Sequence, residues 1–440
     1  MANSGEEKVV EHDHHHVLLV AFSSQGHLNP MLRLGKLLAS KGLHVTLATT
    51  EVARQRMLKT TTTTTITTSS NNHICLKFFS DGLPLDYDRK NNLDYYMNTI
   101  STFGPLNLSK LIDNYFFING SKFSCNINNQ FVPWVVDVAV DHGIPCAMLW
   151  IQPCAFCAIY YCFYRESNQF PTVTDPDMTI ELPGLPLLQS QDLPSFVLPC
   201  NPFRSLSKMF SQLFQGIGKL RWVLANSFYE LEKDVVDSMN ECTLSNNTHR
   251  STGTVYNSSK TDEERRVGSE NSNHSFLWVV KPAEHALGDV AGQLPPGFVE
   301  ETKNRGLMVP WCPQTKVLMH PAISCFITHC GWNSTLEAVA TGFPVIGFPQ
   351  WTDQPANAKL IADVFKTGLR LRLDDHHKDG VLPLVTEEEV ERCIKEAMDG
   401  PKAEELKKRA AEWKETARKA VAVGGSSDQN IQLFIDEMIG

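Results

Sequence analysis

Residues 16–22, HVLLVAF, are an uninterrupted apolar run. A strand wetted on one face alternates apolar and polar residues, whereas an unbroken run suits a strand covered on both faces, as in parallel sheets. Turn residues follow in SSQGHLNP. Next comes MLRLGKLLASKG, with apolar Met31, Leu32, Leu34, Leu37 and Leu38 and a helix stop at Lys41-Gly42, and then a second apolar run, HVTLATT. Strand, loop, helix and strand make a βαβ unit. Comparable units recur in FVPWVVDVAVDHGIPCAMLWI and around GLMVPWCP, AISCFITH and PVIGFP. The class is α/β, with two parallel sheets.

The 440 residues suffice for more than one core. A net charge of −9 argues against nucleic acid or an anionic membrane as partner. The start, MANSGEEKVVEHDHHH, is too polar and acidic for a signal or transit peptide, so the twelve cysteines read as reduced thiols and the location as cytoplasmic. His12, His14, His15 and His16 read as a solvated tail, and no metal is expected. The uncharged stretch 144–164 could span a bilayer by length. Pro145, Gln152 and Pro153 divide it into a strand and a helix, and Arg165 and Glu166 follow at once, so no membrane span is expected. Residues 60–72 are threonine-rich and read as a surface loop. Residues 241–275 are almost wholly polar and cannot offset an ordering entropy of about 1–2 kcal/mol per residue. They read as a disordered linker between an N-terminal domain, 1–240, and a C-terminal domain, 276–440.

Neither the G-x-G-x-x-G fingerprint nor a P-loop follows a leading strand, which weakens a dehydrogenase or nucleotide hydrolase reading. The chemistry gathers instead in FITHCGWNSTLEAVA, residues 326–340. AISCFIT reads as a strand, HCGWNS as its exit loop, Asn333 or Ser334 as an N-cap, and STLEAVATG as a helix ending at Gly342. Ligands of open α/β sheets lie beyond the carboxyl ends of strands. Free helix N–H groups there, with Gly331 permitting close approach and His329 and Ser334 adding donors, suit a phosphate or diphosphate. Glu337, one turn on, would repel phosphate but can accept two hydroxyls of a sugar diol. Upstream, Trp311 in WCPQ offers either core packing or a flat face for a base, with Gln314 beside it. Downstream, Asp353 and Gln354 at the mouth of PVIGFPQWTDQ suit hexose hydroxyls.

Taken together, residues 311–354, from WCPQ through HCGWNSTLEA to WTDQ, resemble the plant secondary product glycosyltransferase signature over its whole length. The chain is therefore similar to plant family 1 UDP-glycosyltransferases. That resemblance implies a GT-B fold, with two Rossmann-like domains facing across a cleft and the last helix packing back on the N-terminal domain. It implies a UDP-sugar donor, a small-molecule acceptor and no further cofactor. It places Trp311 on uracil, Cys312 and Gln314 near the uridine, and Glu337 on the ribose hydroxyls. His329, Asn333 and Ser334 fall on the diphosphate, and Trp332, Asp353 and Gln354 on the sugar. Gln354 as the last signature residue matches the family's usual choice for UDP-glucose.

His27, in GHLNP of the first βα loop, matches the family's catalytic base, and a positioned base typically contributes about 10²–10⁴-fold. Much of the family pairs this histidine with an aspartate; here Asn129 stands at that position. An amide can orient an imidazole but cannot stabilise imidazolium by charge. That hampers attack by a phenol, whose pKa is about 10, more than attack by an acid already ionised at neutral pH. INNQFVPW, CAMLWIQPCA, ELPGLPLL and DLPSF look like the branch that makes glucose esters of hydroxycinnamates, gallate and limonoid acids. The leading expectation is an inverting glucosyltransferase that esterifies a small aromatic or terpenoid acid. Transfer to a phenol or flavonoid is the alternative. The acceptor site is expected in the N-terminal domain, with 150–164 either lining it or serving as plain core. The resemblance fails at 241–275, where the family has the first strand of its C-terminal domain. A sheet short of that strand would weaken diphosphate binding, so a relic or a UDP-sugar binder without turnover is a further alternative.

Overall fold

A computed structural model describes residues 15–60, 74–120, 122–201, 203–244, 250–253, 274–280, 297–372 and 385–440. His12 and His14, residues 61–72 of the threonine-rich run, and 245–249 and 254–273 of the polar segment lie outside them.

The N-terminal half runs β1 (His16–Val20), α1 (Gln25–Ser40), β2 (His44–Thr50), α2 (Glu51–Thr60), β3 (Ile74–Phe79), α3 (Leu93–Asn119), β4 (Cys125–Asn129), α4 (Val135–Asp141), β5 (Cys146–Trp150) and α5 (Cys154–Tyr164). A short antiparallel pair, β6 (Thr179–Ile180) and β7 (Leu188–Gln189), precedes α6 (Arg204–Gly216), β8 (Trp222–Ala225), α7 (Lys233–Leu244) and β9 (Arg250–Gly253). The large strands form one sheet in the order β3-β2-β1-β4-β5-β8-β9, each pair parallel. Chain order reverses between β1 and β4, and such a switch point opens a crevice beyond the strand ends. His27 follows β1, and Asn129 ends β4, so these two flank it.

The apolar run 144–164 divides into β5 and α5, as its prolines require. Cys154 to Tyr160 are buried, so this aromatic and cysteine-rich stretch is core. Glu232, itself buried and pushed up by desolvation, accepts the Ala155 N–H at 3.1 Å where α5 lacks a local side-chain cap. Cys154 and Cys157 have C-x-x-C spacing, but burial raises both thiols, Cys157 to about 12, which suits packing rather than redox chemistry. No helix among the described residues is long and apolar enough to cross a membrane.

The C-terminal half runs β10 (Phe276–Val279), α8 (Phe298–Thr302), β11 (Gly306–Val309), α9 (Gln314–Leu318), β12 (Phe326–Thr328), α10 (Trp332–Thr341), β13 (Val345–Gly347), α11 (Gln354–Lys359), β14 (Gly368–Arg370), α12 (Glu387–Met398), α13 (Ala403–Val421) and α14 (Ser426–Ile439). Its parallel strands fall into two pieces, β10-β11 and β12-β13-β14, and among the described residues no strand joins β10 to β12. The expectation of a linker without regular structure over 241–275 needs correction at two of its described parts, while 274–275 carry no regular structure. Residues 241–244 complete α7, and 250–253 add β9 to the N-terminal sheet, with Arg250 opposite Trp222. Four backbone ladder positions can be filled whatever the side chains, which is why a polar segment can still supply an edge strand.

α14 returns to the N-terminal half. Ile431, Phe434, Ile435 and Met438 share a core with Val17, Leu19, Leu34 and Trp222, and the Trp222 indole N–H donates to Glu437 at 2.9 Å. A second core spans the halves directly: Ala155, Phe228 and Leu231 pack with Phe326, Trp332 and Leu336.

Candidate active site

The helix after β1 starts earlier than its sequence suggests. Ser24 is extended and α1 begins at Gln25, so His27 sits in the first helical turn rather than in a loop. Pro30 lies inside the helix and has no N–H for the Gly26 carbonyl four residues back. That carbonyl accepts the Asn333 side-chain amide at 3.1 Å instead, from the other half of the molecule. The His27 ring lies between Phe22 (centroids 5.2 Å apart) and Phe131 (4.2 Å). Burial lowers its pKa from 6.5 to about 3, so the imidazole is neutral at physiological pH.

Asn129 does not orient His27 by a hydrogen bond. Its Oδ1 accepts the Phe131 N–H at 3.2 Å, and among the described residues neither Asn129 Nδ2 nor His27 Nδ1 has a partner. A side-chain amide two residues before a backbone N–H closes a local turn readily, and that competing bond prevails. The expected pairing of His27 with Asn129 is thus corrected.

On the C-terminal side, β12 delivers the chain into a tight turn. Cys330 adopts φ +64°, and Gly331 caps α10, so the cap lies two or three residues before the expected Asn333 or Ser334. A Cβ on Gly331 would come within 2.5 Å of His329 Nε2, so only glycine lets the imidazole lie over this turn. The first turn of α10 then carries Trp332, Asn333 and Ser334, with Glu337 in the next. Gln314, opening α9, donates to Ser334 Oγ at 3.2 Å and to Glu337 Oε2 at 3.0 Å. Glu337 Oε1 accepts Arg33 Nη2 at 3.2 Å; the carboxylate is wholly buried and the arginine nearly so. Gln314, Ser334 and Glu337 therefore meet, facing α1, while Cys312 lies buried nearby in sequence and Trp311 leaves about half its surface exposed (45%).

Trp332 goes elsewhere. It is 3% exposed, donates its indole N–H to the Asn226 carbonyl at 2.7 Å and packs on Phe365, so it joins the halves rather than offering a face to a sugar. A Trp beside Asn and Ser reads as a ligand contact in sequence, but at the start of α10 the large ring is drawn into the shared core. Asp353 and Gln354 organise the turn after β13. Gln354 Oε1 accepts the Gln350 and Trp351 N–H groups at 2.8 and 3.2 Å. Asp353 accepts Thr352 Oγ1 at 2.8 Å and Asn357 Nδ2 at 3.0 Å. Thr352, at φ +56°, is held from the N-terminal half by Ser195, whose hydroxyl accepts its N–H at 3.0 Å and whose own N–H donates to its carbonyl at 3.1 Å. Arg33, Phe131, Ser195 and Asn226 were not anticipated from sequence. Only Arg33, a charge between two leucines of an apolar helix face, left a signal.

Two facing α/β halves with this site between them define the GT-B class, and comparison with known structures agrees. Rice Os79, solved with U2F and a trichothecene, superposes with a TM-score of 0.79 at 29% identity, covering 96% of this chain and all of that one. Phytolacca americana UGT2 has the same fold, with a TM-score of 0.79, at 22% identity over 97% of this chain and all of its own. Residues 270–401 match the family "UDP-glucoronosyl and UDP-glucosyl transferase". A limonoid UDP-glucosyltransferase of Citrus unshiu is 40% identical over 96% of this chain and 89% of its own length. A gallate 1-beta-glucosyltransferase of Quercus robur is 39% identical over 96% and 89%. The chain belongs to the plant family 1 UDP-glycosyltransferases, in their glucose-ester-forming branch, and is a hexosyltransferase.

Proposed function

We propose that this enzyme transfers glucose from UDP-glucose to a small aromatic or terpenoid carboxylic acid, with inversion, giving a 1-O-acyl glucose ester. The observation that carries the reading is the buried trio Gln314, Ser334 and Glu337 on α9 and α10, set against the helix that bears His27. The carboxylate of Glu337 suits the ribose diol, and Ser334, Asn333 and His329, at the start of α10 and in the turn before it, suit the diphosphate. Trp311 supplies an exposed ring for uracil, and Asp353 and Gln354, in the turn after β13, suit the glucose hydroxyls. Acceptor oxygen attacks the anomeric carbon, the bond from that carbon to the phosphate oxygen breaks, and UDP leaves from the opposite face.

The acceptor class follows from the N-terminal side. A buried, neutral His27 without a carboxylate partner is poorly placed to hold the charge gained by deprotonating a phenol. An acid acceptor arrives ionised and asks no proton transfer of it. The relatives named for gallate and limonoid support the same choice. The test is an acceptor screen with UDP-glucose, with products sorted by lability to mild base. Base-labile esters from acids are expected. Base-stable ethers from phenols alone would overturn the acceptor, and calorimetry showing no UDP binding would overturn the donor.

A further inference from the structure

We propose that Ser195, in the N-terminal half, is a positioning residue for the hexose of a nucleoside diphosphate sugar: it clamps the turn after β13 that carries Asp353 and Gln354. The inference rests on the reading of those two side chains as sugar contacts. The turn is held at Thr352 by two bonds from the opposite half. Ser195 Oγ accepts the Thr352 N–H at 3.0 Å, and the Ser195 N–H donates to the Thr352 carbonyl at 3.1 Å. Between those bonds Thr352 sits at φ +56°. Left-handed backbone is unfavourable for a β-branched residue and persists only where the surroundings over-determine it. One bond acts on the peptide before Thr352 and the other on the peptide after it. Each peptide is planar, so the pair fixes the direction of the chain through the turn.

The clamp reaches both sugar candidates. The Thr352 hydroxyl donates to Asp353 at 2.8 Å. Gln354 Oε1 accepts the N–H groups of Gln350 and Trp351, the residues just before Thr352. That spends the amide oxygen on the chain and leaves the –NH2, which has no hydrogen-bond partner among the described residues, for a ligand hydroxyl. Gln354 retains 7% of its surface and Asp353 is half-buried, so neither is sealed off. Ser195 is itself firmly rooted. Phe196 beside it is buried against Phe210, with centroids 5.4 Å apart, and Asp192, three residues earlier, reaches Arg370 on β14. The orientation of the sugar turn in the C-terminal half is therefore set from the N-terminal half.

Calorimetric Kd values for UDP, UDP-glucose and UDP-galactose, its C4 epimer, on the full chain as wild type, S195A and Q354A, test this directly. The wild type is expected to prefer UDP-glucose over UDP-galactose by about tenfold or more, the scale of a hydrogen bond to a charged group. Q354A is expected to lose that preference. S195A, which leaves the Thr352 N–H without its acceptor, is expected to cut the preference by about threefold to tenfold while moving the UDP Kd less than about twofold. A purely structural role for Ser195 would weaken UDP and both UDP-sugars alike, and that result overturns the proposal. A wild type indifferent to the sugar, or a Q354A that discriminates as the wild type does, overturns the sugar reading and the proposal with it. Discrimination lost in Q354A but kept in S195A overturns the proposal alone. Should S195A not fold, S195C decides, since a thiol is only a weak acceptor: a preference equal to wild type overturns the role of Ser195.

Discussion

Pro30 shows how one residue can turn a local defect into a long-range bond. By lacking an N–H it frees the Gly26 carbonyl, and Asn333 of the opposite half takes it. Nothing in the sequence around Pro30 points to residue 333, because the bond depends on where two helices meet. His27, by contrast, was legible as a chemical group, though its environment was not: the aromatic rings that desolvate it come from Phe22 on its own loop and from Phe131 after β4. If His27 acts as base, H27A should cost transfer to phenols about 10²-fold or more and transfer to acids far less, as competition assays with both acceptors would reveal. Folding also depends on this ring. Burial lowers His27 to about 3 and, with His44 adding repulsion, His16 to about 4, against 6.5 in the unfolded chain. Between pH 6.5 and about 4 the unfolded chain therefore binds protons that the folded one does not, and stability is lost as pH falls through that window. Melting temperatures from pH 7.5 to 4.5 should decline accordingly, with a shallower slope in H27N.

At the scale of elements, periodicity and turn residues located β2, β5 and α5 well, because unbroken apolar runs can bury only one way. Helix starts were read too late at both α1 and α10. In each case small or polar residues before the apolar stretch looked like loop but could enter the helix, Gly331 by acting as cap after a left-handed Cys330. β4 shows the opposite difficulty: CNINN is polar yet buried throughout, its amides satisfied in part by the adjoining Asn129 carbonyl and by Cys146 Sγ on β5, a partner that only the folded sheet supplies. The divided C-terminal sheet has a measurable signature. β10 and β11 are mostly half-buried, whereas β4 and β5 are fully buried. Amide exchange in 276–279 and 306–309 is expected to be orders of magnitude faster than in 125–129 and 146–150, since protection follows burial and contact density. Equal protection would mean that the two pieces open only with the whole molecule.

Across the whole molecule, the halves are held by charge as well as by the shared core. Asp192, nearly buried, reaches Arg370 at 2.6 Å and Lys359 at 3.3 Å on the far side. Phe203 and Trp351 add a ring contact, with centroids 5.3 Å apart. Replacing Asp192 by Asn leaves both cations without their carboxylate and is expected to cost about 3 kcal/mol in urea unfolding, the low end for breaking a buried pair because Arg370 and Lys359 keep some water. A change under half that size would assign the joint to apolar packing instead. Two-lobed organisation was legible from repeated βαβ units, but contacts between lobes were not, since none leaves a periodic trace.

The path of α14 bears on how the polypeptide is made. Because Ile431, Phe434 and Ile435 help cover β1 and its neighbours, those strands stay uncovered on one side until residues about 400 positions later have been made. A nascent chain must keep that surface from sticking to others until α14 has been made, and a stop before residue 431 would strand it permanently.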